Sequence, residues 1–340
     1  MRRIIRSFAP LAAILLIAGG CAAPRATAPT ATPAPSGTTA ATATPNFEGK
    51  LLNIVTGGTG GVYIVYGAGL ADLLSKQLKL SASPQQTTAS VDNMKFIGQG
   101  KADLAFTLAD TAFDAVQGKA PQFSEKVDAK ALAVLYYNFT HLVTKDSSGM
   151  TKVTDLKGKR VSMGSAGSGT EIIGNRTLEA YGLSADTDIL RERLGVADSA
   201  NALRDGKIDA FFWSGGLPTA AVLDLANTVK LRFLDLSEGI KKMSDKYGAF
   251  YTQSKIPAGV YKDNAEVPVS AVANLLVVNS KFDPAFAKAI LSTMFDNQTV
   301  LASIHAEAKN LKLETAIVGS PIDFHPGAID FYKSKGVWKQ

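Results

Sequence analysis

The chain has a single cysteine and three histidines in 340 residues. A lone cysteine has no partner within the chain, so the fold cannot depend on intramolecular disulfides. None of His141, His305 and His325 has a second histidine or a cysteine at the spacing of a metal site. No nucleophile is paired with a base in any motif. We therefore predict no metal site, no cofactor and no catalytic residues.

Charge is also sparse. Charged residues make up 19% of the chain and the formal net charge is +6, of which three charges belong to Arg2, Arg3 and Arg6. No cluster of lysines and arginines is interleaved with aromatic residues, so nucleic-acid binding is not expected. Hydrophobic residues make up 46% of the chain. That is enough for a large core, and the length predicts about two domains.

The N-terminal residues are typical of an export signal. Residues 1–20 have a basic start, an apolar run too short to span a membrane, and small residues after it. They end before Cys21, and "IAGGC" resembles a bacterial lipobox, with Ala18 where leucine is more usual. We expect lipidation of Cys21 and an extracytoplasmic location (periplasm or cell surface), anchored to a bacterial membrane. The alternative is an ordinary signal peptide followed by an incidental cysteine.

Residues 21–46 are almost entirely alanine, threonine and proline after the cysteine. Such a segment buries too little apolar surface to fold, and its prolines keep it extended. We predict a tether between the anchor and a folded body. No second apolar run of spanning length follows, so the body is expected to be soluble.

The body repeats one local order. "LLNIVTGG" and "VYIVYGAGLADLLSKQL" predict a buried strand, a glycine loop and a helix, and "KRVSMGSAGSGTEIIGNRTLEAYGL" predicts the same three parts. A Gly-Lys-x-Asp motif follows each copy, at positions 100 and 206, which are 106 residues apart; the glycine loops, at positions 61 and 169, are 108 apart. These offsets predict two lobes on one α/β plan. We place lobe 1 at 47–145, lobe 2 at 146–265, and a return to lobe 1 with C-terminal helices at 266–340.

The glycine loops match no nucleotide or nucleophile motif. They lack the lysine of a P-loop, and Tyr63 and Ile172 stand where the dinucleotide fingerprint needs its last glycine. Neither Ser165 nor Ser168 has the flanking glycines of a nucleophile elbow. Successive N–H groups at a helix start, with hydroxyls beside them, form an anion site. The alternative is that the glycines only permit tight turns.

Two further segments have two interpretations each. Asp110 follows an apolar strand in "TLAD", where it is either a pocket contact or the cap of the next helix. The segment "TTASVDN" is either a ligand contact or a turn before a helix capped by Ser90, and both roles can coexist.

Several motifs, in order from about residue 51 to 336, resemble the TAXI family of solute receptors from TRAP transporters. They include "GTGGVYIVYGAGLADLL", "DLKGKRVSMGSAGSGTE", "ALRDGKIDAFFWSGGLPTAAV" and "HPGAIDFYKSKG". The resemblance implies an α/β type II periplasmic-binding-protein fold, with two lobes, a hinge and a ligand cleft between them. It also implies a small acidic ligand such as glutamate, glutamine or 2-oxoglutarate, a membrane permease as partner, and an ion gradient as energy source. The chain departs from the family pattern at Ile64, Val65 and Trp213.

Combining the loops with the resemblance, we predict one ligand site and a monomeric receptor. The alternatives are an α/β enzyme and a sensing module that signals to a membrane receptor without transport. The predicted ligand-binding residues come from the two glycine loops, the segments after three strands, and the aromatic walls: Gly57, Thr59, Gly60, Gly61, Tyr63, Thr88, Ser90, Asn93, Asp110, Ser165, Gly167, Ser168, Gly169, Thr170, Trp213, Gly215, Gly216 and Pro218.

Overall fold

The computed structural model describes residues 45–119 and 121–339. The predicted signal peptide, the lipidation site at Cys21 and residues 21–44 of the tether lie outside the described residues. Within the described part of the chain, every helix is too short or too polar to cross a membrane.

The first lobe begins with three strands, each followed by a helix. Each strand is short and mostly buried except β2, which forms the exposed edge of the sheet. The elements are β1 (Leu51–Val55), α1 (Val62–Leu78), β2 (Ser81–Gln85), α2 (Ser90–Gly98), β3 (Leu104–Leu108) and α3 (Ala109–Gln117). Strand β1 pairs in parallel with both β2 and β3, so the order is β2-β1-β3.

The second lobe repeats this arrangement. Its elements are β5 (Arg160–Ser162), α4 (Gly169–Ala180), β6 (Leu190–Glu192), α5 (Val196–Arg204), β7 (Ala210–Gly215), α6 (Ala220–Thr228), β8 (Leu231–Phe233), α7 (Ser237–Tyr247) and β9 (Thr252–Ile256). Strand β5 pairs in parallel with β6 and β7, which gives the order β6-β5-β7.

Two long antiparallel strands join the lobes at the centre of one sheet. They are β4 (Ala129–Lys145) and β10 (Val267–Asn279), and the order along the sheet is β2-β1-β3-β10-β4-β7-β5-β6, with β8 also paired to β4 and β9 to β10. Three further helices pack on the first lobe: α8 (Pro284–Asp296), α9 (Gln298–Ile304) and α10 (Pro326–Ser334). The α/β fold class with two lobes is confirmed. The predicted lobe boundaries stay predictions, because β4 and β10 belong to both lobes.

The two Gly-Lys-x-Asp motifs make equivalent contacts in the two lobes. Asp103 accepts a hydrogen bond from the backbone N–H of Asn53 in β1 at 2.7 Å, and Asp209 accepts one from the backbone N–H of Arg160 in β5 at 2.8 Å. In each motif the glycine has a positive φ, 66° at Gly100 and 73° at Gly206, which ends the preceding helix. The sequence repeat therefore corresponds to a structural repeat.

The lobes also contact each other through a buried ion pair. Arg176 on α4 bonds the carboxylate of Asp114 on α3 and lies 3.7 Å from that of Asp110, whose side chain is fully buried. Tyr251 accepts from Arg176 at 2.9 Å and donates to Asp110 at 2.6 Å. Burial raises the pKa of Asp110, and the charge of Arg176 opposes that rise.

We expect Arg176→Ala to lower the free energy of unfolding by roughly 3–5 kcal/mol, because both buried carboxylates lose their cation. Urea unfolding followed by circular dichroism measures the change. The control is Lys241→Ala, which removes an exposed pair with Asp245 and should cost less than about 0.5 kcal/mol. Equally small losses of unfolding free energy in both variants would contradict the assignment of a stabilising buried ion pair between the lobes.

Candidate functional site

A cavity lies between the lobes, with about 550 Å³ of empty space including its mouth. Its wall comes from both lobes and from β4: Gly57, Gly58, Gly61, Val62, Tyr63, Thr88, Ala89, Ser90, Leu108, Tyr136, Asn138, Ser165, Ser168, Gly169, Thr170, Gly195, Val196, Trp213, Ser214 and Gly215.

Four helices begin at this wall, two from each lobe. Helices α1 and α2 begin at residues 62 and 90, and their counterparts α4 and α5 begin at residues 169 and 196. No side chain caps α1, α2 or α5, while Ser168 caps α4 by accepting from the N–H of Glu171 at 3.1 Å. Uncapped first-turn N–H groups are free to donate to a ligand, and each helix start carries partial positive charge.

The side chains of the wall are neutral. Among the described residues that line the cavity, none is lysine, arginine, histidine, aspartate or glutamate. The positive potential that the wall itself supplies therefore comes from backbone dipoles and not from side-chain cations.

A chain of buried hydrogen bonds connects three wall residues, Tyr63, Asn138 and Ser214, through Asn274. The hydroxyl of Tyr63 donates to Asn274 Oδ1, Asn274 Nδ2 donates to Asn138 Oδ1 at 2.8 Å, and Asn138 Nδ2 donates to the carbonyl of Ser214 at 3.0 Å. Because a protonated tyrosine hydroxyl starts the chain, it fixes the orientation of both amides. Burial raises the pKa of Tyr63, which keeps this hydroxyl protonated. The chain joins α1, β10, β4 and β7, and so both lobes.

Two hydroxyls of the wall have no partner. The Tyr136 hydroxyl and Ser214 Oγ are buried and make no hydrogen bond within the described part of the chain. Buried polar groups are normally hydrogen-bonded, and an unpaired one costs about 1–3 kcal/mol. Both residues line the cavity, so a ligand placed there could satisfy them.

Trp213 supplies the largest apolar face of the wall. Its Nε1 donates to Thr219 Oγ1 at 2.8 Å, which fixes the indole plane. A Cβ at Gly61 would lie 3.1 Å from the ring, so this glycine allows α1 to begin against the indole. Val62, Leu108 and Val196 add further apolar surface.

The structure brings most of the predicted site residues together. Those in the cavity wall are Gly57, Gly61, Tyr63, Thr88, Ser90, Ser165, Ser168, Gly169, Thr170, Trp213 and Gly215. Ser90 does not cap α2, whose N-cap is Ala89; instead Ser90 Oγ accepts from the N–H of Leu108 at 3.2 Å. Their role as ligand contacts stays a prediction.

Seven predicted residues lie outside the wall. Asp110 faces Arg176 and Tyr251 and is not the cap of α3, whose N-cap is Leu108. Asn93 is buried behind the wall, where its amide donates to the carbonyls of Thr56 and Phe106.

The other five residues lie in loops outside the wall. Thr59 is exposed, and Gly60 approaches Ala221 on α6. Gly167 lies beside Asp92, Gly216 packs on Glu307, and Pro218 follows a cis peptide bond. At Gly60, Gly167 and Gly216 the missing side chain permits close approach of neighbouring groups. The role of these five residues as ligand contacts stays a prediction.

Nine wall residues were not predicted: Gly58, Val62, Ala89, Leu108, Tyr136, Asn138, Gly195, Val196 and Ser214. The sequence contains a recognisable signal for three of them, Gly195, Val196 and Asn138. The segment "RLGVADSA" contains a third glycine that directly precedes a helix, α5. Gly195 and Val196 are the N-cap and first residue of α5, as Ala89 and Ser90 are of α2. Asn138 is a buried amide inside a long apolar strand, which is unusual.

The three histidines lie away from the wall. His141 contacts the Tyr261 hydroxyl at 2.8 Å, and burial lowers its pKa to about 4. His325 accepts from the N–H of Gly327 at 3.2 Å and so caps α10.

The chain belongs to the NMT1-like family, whose model matches residues 54–336. Solved structures are also similar to it. The aliphatic sulphonate binding protein SsuA from Escherichia coli shares 17% identity over 84% of this chain and 83% of that chain, with a TM-score of 0.45. A binding protein component of an ABC phosphonate transporter from Pseudomonas aeruginosa shares 10%, covering 76% and 79%, with a TM-score of 0.49.

The two lobes touch through glycine at the start of α4. A Cβ at Gly169 would lie 2.5 Å from Leu108 Cδ1 and 2.9 Å from Ser90 Oγ, both in the first lobe. Gly58, in the same wall, has no atom within 4 Å of such a Cβ. The two glycines therefore form a matched pair for testing this approach.

We expect Gly169→Ala to lower the free energy of unfolding by about 1–3 kcal/mol, because the added methyl overpacks the contact between lobes. Gly58→Ala should change it by less than about 0.5 kcal/mol. Urea unfolding measures both, and small-angle X-ray scattering should show a larger radius of gyration only for Gly169→Ala. If the two alanine variants behave alike, the lobes do not meet at Gly169 in solution.

Proposed function

We propose that this member of the NMT1-like family is an extracytoplasmic solute-binding receptor. It captures a small acidic solute, of the glutamate, glutamine or 2-oxoglutarate kind, between its lobes and delivers it to a membrane permease of the TRAP type. The observation that carries the proposal is the cavity between the lobes, onto which four helix N-termini open. The motif resemblance to TAXI receptors supports the transporter class.

The helix starts favour an anion. Each contributes about 0.3–1 kcal/mol to a negative group near it, and up to about 2 kcal/mol where partly buried. The wall also offers hydroxyls from Ser165, Ser168 and Thr170 beside the second glycine loop. Hydrogen bonds from such groups to a carboxylate are charge-assisted and hence stronger than neutral ones.

Binding suits this wall better than catalysis. A serine or threonine nucleophile needs an adjacent base. Among the described residues of the wall, no histidine or carboxylate stands beside these hydroxyls. The hydroxyls are therefore proposed as ligand donors.

Ligand-driven closure follows from the connection between the lobes. Strands β4 and β10 run through the sheet centre and pair with strands of both lobes. Bending at these strands would open the cavity, and a ligand that touches both walls stabilises the closed form by its higher affinity for it. We propose that the closed form docks on the permease, while lipidated Cys21 and the tether hold the protein at the membrane.

Binding is testable through Trp213, because the only other tryptophan is Trp338. We expect a Trp338→Phe variant to show a saturable change in emission on titration with 2-oxoglutarate or another small acid, since the indole lines the cavity. The matched Trp213→Phe variant should bind the same acid by calorimetry without this change. Saturable binding of neutral or cationic solutes alone would refute the acidic-solute proposal.

Deletion of the gene distinguishes a transport receptor from a sensing module. We expect deletion to abolish saturable uptake of the bound solute, and restoration of the gene to recover it. Uptake of labelled solute by intact cells measures this. Unchanged uptake together with loss of a solute-induced transcriptional response would identify a sensing module instead.

A further inference from the structure

The described wall of the cavity offers uncapped backbone donors and no carboxylate. The first-turn N–H groups of α1, α2 and α5 have no side-chain cap. The one amide side chain of the described wall, Asn138, already uses its oxygen to accept from Asn274 and its nitrogen to donate to Ser214. A cationic group on the ligand would therefore find no anionic side chain among the described wall residues, only neutral hydroxyl and carbonyl oxygens.

The carboxylates nearest to the helix starts are engaged elsewhere or exposed. Asp92 on α2 accepts from the hydroxyl of Thr88 at 2.5 Å. Glu171 on α4 accepts from the N–H of Gly167 at 3.0 Å, from Arg191 at 2.7 Å and from Arg193 at 2.6 Å. Asp198 on α5 is exposed. None of the three is in the cavity wall.

The two unpartnered hydroxyls point to a ligand independently of the helix starts. Tyr136 is 2% exposed and Ser214 is 5% exposed; both residues line the cavity, and neither hydroxyl has a hydrogen-bond partner in the described part of the chain. A hydroxyl of this kind can donate to an oxygen atom of a bound ligand.

From the uncapped helix starts, the two unpartnered hydroxyls and the neutral wall, we infer that the cavity selects an organic anion that carries no ammonium or other cationic group. This rests on the proposed receptor function and narrows it from acidic solutes in general to keto, hydroxy or plain carboxylic acids. An α-amino acid would bury its ammonium against helix starts and without a counter-charge, which is strongly unfavourable. Val62, Leu108, Val196 and Trp213 suit the uncharged part of such an acid.

The test compares pairs of acids that differ only at one substituent. Calorimetric titration of the full-length protein, in detergent because of its apolar N-terminus, would use 2-oxoglutarate, L-2-hydroxyglutarate and L-glutamate, then L-lactate and L-alanine. We expect the keto or hydroxy acid to bind at least about tenfold more tightly than the amino acid of the same skeleton, because the ammonium lacks a partner.

The outcomes separate this inference from the receptor proposal. Amino acids that bind as tightly as their keto or hydroxy counterparts would overturn the selection against ammonium and leave an acidic-solute receptor standing. If no acid of the panel binds to folded protein, both the inference and the acidic-solute proposal fail.

Hydroxyl deletions test the same wall by another route. We expect Tyr136→Phe and Ser214→Ala each to weaken binding of the preferred acid by roughly tenfold, through loss of a hydrogen bond to a charged group. Tyr66→Phe is the matched control, because its hydroxyl is also buried and unpartnered but Tyr66 is not in the wall. It should bind within about twofold of the unmodified protein. Wild-type affinity in both wall variants would remove these hydroxyls from the site and overturn this part of the inference.

Discussion

The parallel pairing of β1 with β2 and of β5 with β6 is the constraint on which the site depends. Parallel strands end at the same edge of a sheet, and the helix that follows each strand begins there. With the two lobes facing each other across β4 and β10, four helices begin at one cavity. The N–H donors therefore converge because of topology, without any cationic side chain in the wall.

A neutral wall has a consequence for selectivity. Lysine or arginine would attract any anion at long range, whereas first-turn N–H groups act only at short distance and in fixed directions. The carboxylates of α2 and α4 would weaken this field, but Thr88 and the two arginines Arg191 and Arg193 engage them. The uncapped helix starts, together with the absence of a carboxylate among the described wall residues, are the basis of the proposed selectivity.

Local patterns predict the parts of the site that lie next to one another in sequence. The glycine loops before α1 and α4, Tyr63 and Trp213 could all be found from strand, loop and helix signals. Tyr136 could not, because it lies in an apolar run whose sequence indicates only a buried strand; the register of β4 against β10 places it at the cavity. Asp110 shows the converse, since its position after a strand is typical of a pocket but long-range packing places Arg176 beside it.

The unpartnered hydroxyls connect selectivity to closure. A buried hydroxyl without a hydrogen-bond partner costs about 1–3 kcal/mol, and the hydroxyls of Tyr136 and Ser214 have no partner in the described part of the chain. An open form in which water reaches both hydroxyls would not bear that cost. A ligand that accepts from both hydroxyls removes the same cost in the closed form. The groups that recognise the acid would thus also supply the differential affinity by which it closes the lobes.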